Sequence, residues 1–253
     1  MIKSYQKWVM PLARLVAIWI AILTSLLFIH QVNADNSPTL KSFKAEYSAF
    51  RFGRDLGYAT LELSSDETGQ LTLDYYSKVS AFFLSDKRAE TSIFSFENNT
   101  IIPKTYIYQR TGTGSNKNIG IEFSKENQNI TVNNGEPISW NGHFDNQLYR
   151  LDAQLKLASG AKEFSYDLIN NRGQLRHYDV KVIGQEKLQL PYGMLDSIKV
   201  ILERDNSSRE TIAWFAPKLN YQLVKLQQFK DGDEQGEIRL KKFTFTENKT
   251  AQQ

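Results

Sequence analysis

The chain of 253 residues has no cysteine. That absence removes disulfides, thiolate metal ligands, a cysteine nucleophile and a lipid-modified cysteine together. Histidine is scarce as well, with only His30, His143 and His177. No G-x-S-x-G elbow, H-E-x-x-H pair, G-x-x-x-x-G-K-[ST] loop or EF-hand pattern occurs, so the usual signatures of a serine hydrolase, a zinc protease, a nucleotide site and a calcium site are missing. The run Gly112-Thr113-Gly114-Ser115-Asn116-Lys117 leads from one apparent strand into another. It lacks the helix N-terminus that a phosphate nest needs and reads as a hairpin turn. Asp231-Gly232-Asp233-Glu234 is four residues at a turn, too few to make a cation site. No cofactor and no metal is implied.

Among the things present, the first 34 residues stand apart. Lys3, Lys7 and Arg14 precede an apolar run from Leu15 to Ile29, and Val32-Asn33-Ala34 forms a small-x-small exit. This is the layout of a secretory signal peptide cleaved after Ala34. The run reaches about 22 Å as a helix, short of a hydrocarbon core of about 30 Å. An uncleaved inner-membrane anchor is the alternative, in which the helix borrows residues beyond Ile29. The expected location is the periplasm, with no stable membrane anchor after cleavage.

Loss of the leader takes three bases and no acid, which leaves 28 basic residues against 28 acidic ones. A neutral body with interspersed charge lacks the field that nucleic-acid binding requires. Sequons at Asn98, Asn129, Asn206 and Asn248 are what an Asn-, Ser- and Thr-rich chain produces by chance.

Residues 35–253 read as a single β-rich domain with its core over about residues 40–247. Turn residues recur every 8 to 12 positions between short strands beginning at Phe43, Gly57, Leu71, Thr91, Ile101, Asn118 and Asn129, then Glu163, Leu175, Glu186, Leu195, Glu210, Tyr221 and Glu237. Phe164, Tyr166 and Leu168 alternate with Glu163, Ser165 and Asp167, as Tyr178, Val180 and Val182 do with His177, Asp179 and Lys181. One face of each strand is thus apolar and the other wet, which is antiparallel-sheet behaviour. Pro103 within a strand points to an edge or a bulge.

One segment changes period. Leu148, Leu151 and Leu155 follow i, i+3, i+7 spacing, with Asp145 as N-cap, Phe144 stapling toward Tyr149 and Gly160 as the stop. The predicted helix, Asp145 to Ser159, has an apolar stripe that must cover something apolar. The fold expected is mainly β: a strongly curved antiparallel sheet or open β-barrel with this one amphipathic helix as its lid.

Aromatic residues are plentiful, with 15 Phe and 12 Tyr. The expected function is that of a non-enzymatic periplasmic binding module whose concave cavity, lined by Tyr47, Tyr75, Phe94, Tyr106, Leu148, Leu151 and Trp214, holds an apolar small molecule or lipid. If both faces are ordinary core, the protein is an envelope module that binds another protein at a sheet edge. Catalysis has one nominee, His143 with Asp145 as an acid/base pair in a hydrolase. His177 falls on the wet face of its strand.

The order and spacing of several weak motifs carry a resemblance. They are the aromatic strand Phe43 to Phe52 followed by Gly57, Pro103 before Tyr106 and Tyr108, Phe144-Asp145 with Leu148, Leu190-Pro191-Tyr192-Gly193, and Trp214-Phe215-Ala216-Pro217 before Tyr221. Over about residues 43–246 the chain resembles the DUF3108 (domain of unknown function) family of exported bacterial proteins. The resemblance implies export and a β-rich fold, and it carries no catalytic residues. A more distant similarity of architecture is to periplasmic half-barrels that ferry lipoproteins.

Overall fold

The computed structural model describes residues 40–81, 83–204 and 207–247. The predicted leader and the last residues of the polar tail lie outside these. Two antiparallel meanders make up the fold. The first runs through β1 (Phe43–Arg51), β2 (Arg54–Ser65), β3 (Leu71–Ala81), β4 (Leu84–Glu97), β5 (Thr100–Gly112), β6 (Lys117–Ser124), β7 (Asn129–Val132) and β8 (Ile138–Ser139). The chain then passes through β9 (Phe144–Asp145) and the helix α1 (Leu148–Ala158). The second meander is β10 (Glu163–Ile169), β11 (Leu175–Leu190), β12 (Gly193–Glu203), β13 (Arg209–Ala216), β14 (Gln222–Lys230) and β15 (Asp233–Phe245).

The first and last strands pair with each other, from Phe43 opposite Phe245 to Phe50 opposite Glu237. That pairing joins the meanders into one fifteen-stranded sheet, β8-β7-β6-β5-β4-β3-β2-β1-β15-β14-β13-β12-β11-β10-β9. β5 and β14 stand six places apart in that order, about 29 Å if the sheet were flat. A helix is about 10–12 Å across with its side chains, and α1 touches both strands. The sheet must therefore curl around it. Register shifts in six of the strand pairs contribute, because each bulge adds local twist.

The curl stops short of a hydrogen-bonded barrel. Among the described residues β8 pairs with β7 alone and β9 with β10 alone. The two ends meet through side chains instead: Ile169, at the end of β10, packs with Tyr106, Ile121 and Ile130 of the first meander. At Gly173 a Cβ would lie 2.8 Å from Val132 Cγ1.

Several expectations need correction. The strands predicted at Leu175 and Glu186 are one strand, β11, bent at a register shift between Val182 and Gly184 rather than broken. The helix is shorter than the predicted Asp145 to Ser159, and Gln147 occupies its N-cap position. Asp145 is in β9, paired in parallel with Ile169, and reaches the helix from there. Phe144 packs edge-on against Tyr166, which Tyr149 also touches, so the staple runs through a third ring. The C-terminal end behaves as read: Gly160 at φ +87° donates to Leu157 O at 3.0 Å and Ala161 to Lys156 O at 2.9 Å, a Schellman arrangement. Pro103 satisfies both of its expectations. Lys104 beside it is the extra residue of a bulge against β4, and β6 begins to pair only at Thr105.

Close strand approach at a bulge demands glycine at position 57. Gly57 has φ +142°, and a Cβ there would sit 2.1 Å from the backbone oxygen of Lys78. Gly57→Ala is expected to lower the unfolding free energy by roughly 2–4 kcal/mol, read as a reduced denaturant midpoint. Gly142→Ala, which has positive φ but open space around it, should cost less than half as much.

Candidate functional site

The inner face of the sheet and the helix it wraps form the site. Leu148, Leu151 and Leu155 pack with Tyr47, Leu61, Leu73 and Phe94, while Ala153 and Leu157 pack with Tyr166, Val180, Val200 and Phe215. A stripe facing one surface became two buried faces, because strands lie on both sides of the helix.

Of the seven residues expected to line a cavity, Tyr47, Phe94, Tyr106, Leu148 and Leu151 are fully buried in this interior, and Tyr75 is partly buried beside them. Trp214 is on the other face. It alternates with Ala213 and Phe215, which point toward α1; its Nε1 donates to Glu186 at 2.9 Å, and Lys225 and Lys199 lie 4.3 and 5.2 Å from its ring. Between α1 and β11–β14 an apolar crevice remains, walled by Ala153, Val180, Val200, Phe215 and Leu223, with Tyr149 and Arg150 among its lining. Its free volume is about 10 Å³, room for at most one water. A ligand site of ordinary size has several hundred Å³. A larger polar groove of about 310 Å³ lies between Lys187, Asp196 and Pro217 and contains none of the predicted residues.

The nominated acid/base pair does not form. His143 Nδ1 accepts the Asn141 N–H at 3.2 Å. Asp145, with no exposed surface, accepts the N–H groups of Gln147 and Leu148 at 2.7 and 2.9 Å through Oδ1. It is a helix cap reached from a strand. His177 stands on the wet face as read, between Asp167 at 2.7 Å and Asp179 at 3.5 Å.

Polar groups that the sequence reading missed gather around this cap. Glu90 of β4 is 4% exposed and accepts from Tyr106 Oη at 2.5 Å and Asn146 Nδ2 at 3.0 Å. The carboxylate thereby ties β4 and β5 to the entrance of α1. Tyr47 Oη donates to Leu223 O at 2.8 Å and accepts from Gln222 Nε2 at 3.0 Å, which links β1 to β14 across the inside. Arg150 donates to Gln147 Oε1 at 3.0 Å and has no carboxylate within ion-pair distance among the described residues. Glu90 was invisible because the strand reading began at Thr91. Arg150 lies outside the Leu148, Leu151, Leu155 stripe that the spacing picks out.

Burial pushes the Asp145 carboxyl up to about 7, the helix N–H groups of Leu148 and Gln147 pull against that, and the charge of Glu90 adds to it. A carboxyl with a raised folded-state value holds its proton where the unfolded chain has lost it. Its stability contribution is complete below about pH 4 and is lost as pH rises toward 7, by a few kcal/mol at most.

Comparison with known proteins agrees with the architecture. The family described as "Protein of unknown function (DUF3108)" matches residues 42–239. No curated protein matches. Among solved structures, a β-barrel-like protein of the DUF1849 domain of unknown function from Brucella abortus is similar over 83% of this chain and 99% of its own, at 11% identity and a TM-score of 0.60. A candidate exported protein with YmcC-like fold from Bacteroides fragilis covers 82% of this chain with 97% of its own, at 9% identity and a TM-score of 0.32.

The Asp145 geometry gives a pH prediction. Thermal unfolding followed from pH 4 to 8 should show stability falling through this window in the parent chain. Asp145→Asn, which keeps the acceptor for both helix N–H groups, should flatten that fall. Asp145→Ala loses the cap and should cost about 1–2 kcal/mol at pH 4, a difference that shrinks as pH rises because alanine does not titrate. Equal pH slopes for the parent and Asp145→Asn would refute the assignment.

Proposed function

We propose that this chain, which belongs to the DUF3108 family, is a non-catalytic interaction module of the bacterial envelope whose interior is filled by its own helix. The reading is carried by one observation: the crevice between α1 and β11–β14 has about 10 Å³ free. That crevice admits no ligand of ordinary size without moving the helix. What remains for recognition is the outside of the curl, its rims and its open edges. The leader read from the sequence supports an exported location. Among the described residues no helix is long and apolar enough to cross a membrane.

A second reading has a specific observation in its favour. Arg150 is a half-buried guanidinium without a carboxylate partner, and it borders the apolar crevice. An anionic amphiphile would satisfy both features if α1 shifted outward. Its chain would then lie against Val180, Val200 and Phe215 rather than against the residues expected from sequence.

Native mass spectrometry of protein purified from its own cells separates the two. The filled-interior reading expects the bare polypeptide mass, and Arg150→Gln should leave that spectrum unchanged. A non-covalent adduct of lipid mass that disappears in Arg150→Gln would overturn it in favour of the second.

A further inference from the structure

The hairpin ends of the first meander at one rim are built against the ordinary rules for exposed turns. Phe52 and Gly53 form the two-residue turn between β1 and β2 with φ +50° and +72°. That left-handed geometry suits Asn or Gly and strains a large aromatic side chain. Phe52 is 64% exposed there. At the opposite rim, the same geometry between β4 and β5 is filled by Asn98 and Asn99, at φ +49° and +60°. The β3–β4 tip, neighbour to the Phe52 turn, exposes Phe83 at 98% and Leu84 at 62%. Folding alone gives no reason to set these groups in water.

Charge is arranged as unusually. Arg51 stands opposite Arg54, Lys78 opposite Lys87, and Arg110 opposite both Arg88 and Lys117. Like charges directly across a strand pair repel. Asp86 relieves one of these pairs, binding Arg88 at 2.8 Å and Arg110 at 3.0 Å. Arg51, Arg54, Lys78, Lys87 and Lys117 form no ion pair among the described residues. Residues 51–57, 78–88 and 110–117 hold seven cations against Asp55 and Asp86, while over residues 35–253 bases and acids balance, so the excess is confined to this rim and offset by acids elsewhere. The acids next in line, Asp231, Asp233 and Glu234, belong to the β14–β15 turn, where Glu234 accepts the Phe52 N–H at 2.7 Å.

We infer that this rim, with Phe52, Phe83 and Leu84 at its tips and unpaired Arg and Lys behind them, docks on an anionic lipid surface. Aromatic and aliphatic tips enter the headgroup boundary while the cations meet the phosphates. The repulsion stored across Lys78 and Lys87 is relieved when that surface supplies the missing negative charge. The inference rests on the reading that the protein works through its exterior.

The lack of cysteine makes a local test available. Leu84→Cys places one environment-sensitive fluorophore at this rim, and Glu67→Cys places it in the β2–β3 turn at the opposite one, both in the full chain. The probes are vesicles of phosphatidylglycerol and phosphatidylcholine in equal parts, and vesicles of phosphatidylcholine alone. The label at 84 is expected to shift to the blue and brighten about twofold with the anionic vesicles, less with neutral ones or at high salt, with no change at 67. Phe52→Asn with Phe83→Ser should weaken partitioning about tenfold without lowering the melting temperature. Lys78→Ser with Lys87→Ser should weaken it too, while the melting temperature holds or rises; a purely structural role for the two lysines would lower it. A silent label at 84, or equal responses at 84 and 67, overturns the inference. If the tip crosslinks to a protein and ignores vesicles, the lipid surface is refuted and the interaction module stands. Lipid carried in the interior refutes the module reading separately.

Discussion

One eleven-residue helix has to cover the inner face of a fifteen-stranded sheet, and the rest of the structure follows from how that is achieved. A flat sheet of this width would leave most of its apolar face in water. Curling brings strands from both meanders onto α1, so that Leu148 and Leu151 meet one set and Ala153 and Leu157 the other. The bulges supply the twist, and the central β1–β15 pair keeps the two meanders in register while they bend. Closure into a full barrel would demand a hydrogen-bonded seam. Here Ile169 packs its side chain on the first meander and the Gly173 backbone comes close to the Val132 side chain, while the crossover through α1 lies inside the curl.

Packing the helix on both sides sets the character of the interior. Because the helix is surrounded, its entrance and the polar side chains near it are also enclosed, and several find partners inside, while Gln147 Nε2 is buried there without one. Asp145 caps the helix from a neighbouring strand, Glu90 gathers Tyr106 and Asn146, and Tyr47 bridges to Leu223. Asp145 and Glu90 fasten sheet to the helix entrance and Tyr47 fastens strand to strand, and these bonds account for their burial. The unusual chemistry of the molecule is correspondingly found outside, where Phe52, Phe83 and the opposed cations stand at one rim.

Much of the fold was legible because local rules and tertiary structure agree. Alternation in Phe164, Tyr166 and Leu168 reports a strand wet on one side, and β10 is one. Gly160 announces a helix end, and its backbone makes that end. The failures have physical causes. The strand read from Glu186 merged with its predecessor because Gly184 marks a bend and not a turn. Asp145 looked like an N-cap because it does cap, although from two positions earlier and from within a strand. Trp214 was assigned to the inner face because both faces of β13 are apolar, and periodicity cannot choose between two buried surfaces.

The sequence by itself determined the strand succession, the single mid-chain helix, the family resemblance and the lack of thiol chemistry, all of which depend on residue type and short-range spacing. Only the tertiary structure decided that β1 pairs with β15, that the inner face is occupied, and that Glu90, Tyr106, Asn146 and Asp145 converge. Those contacts join residues up to about two hundred positions apart, and no local period encodes which distant partner a buried face will meet. The rim lies between the two cases: Phe52 and Phe83 can be read in the sequence, yet pairing alone sets Lys78 against Lys87 and brings the basic ends of six strands, β1 to β6, to the same end of the sheet.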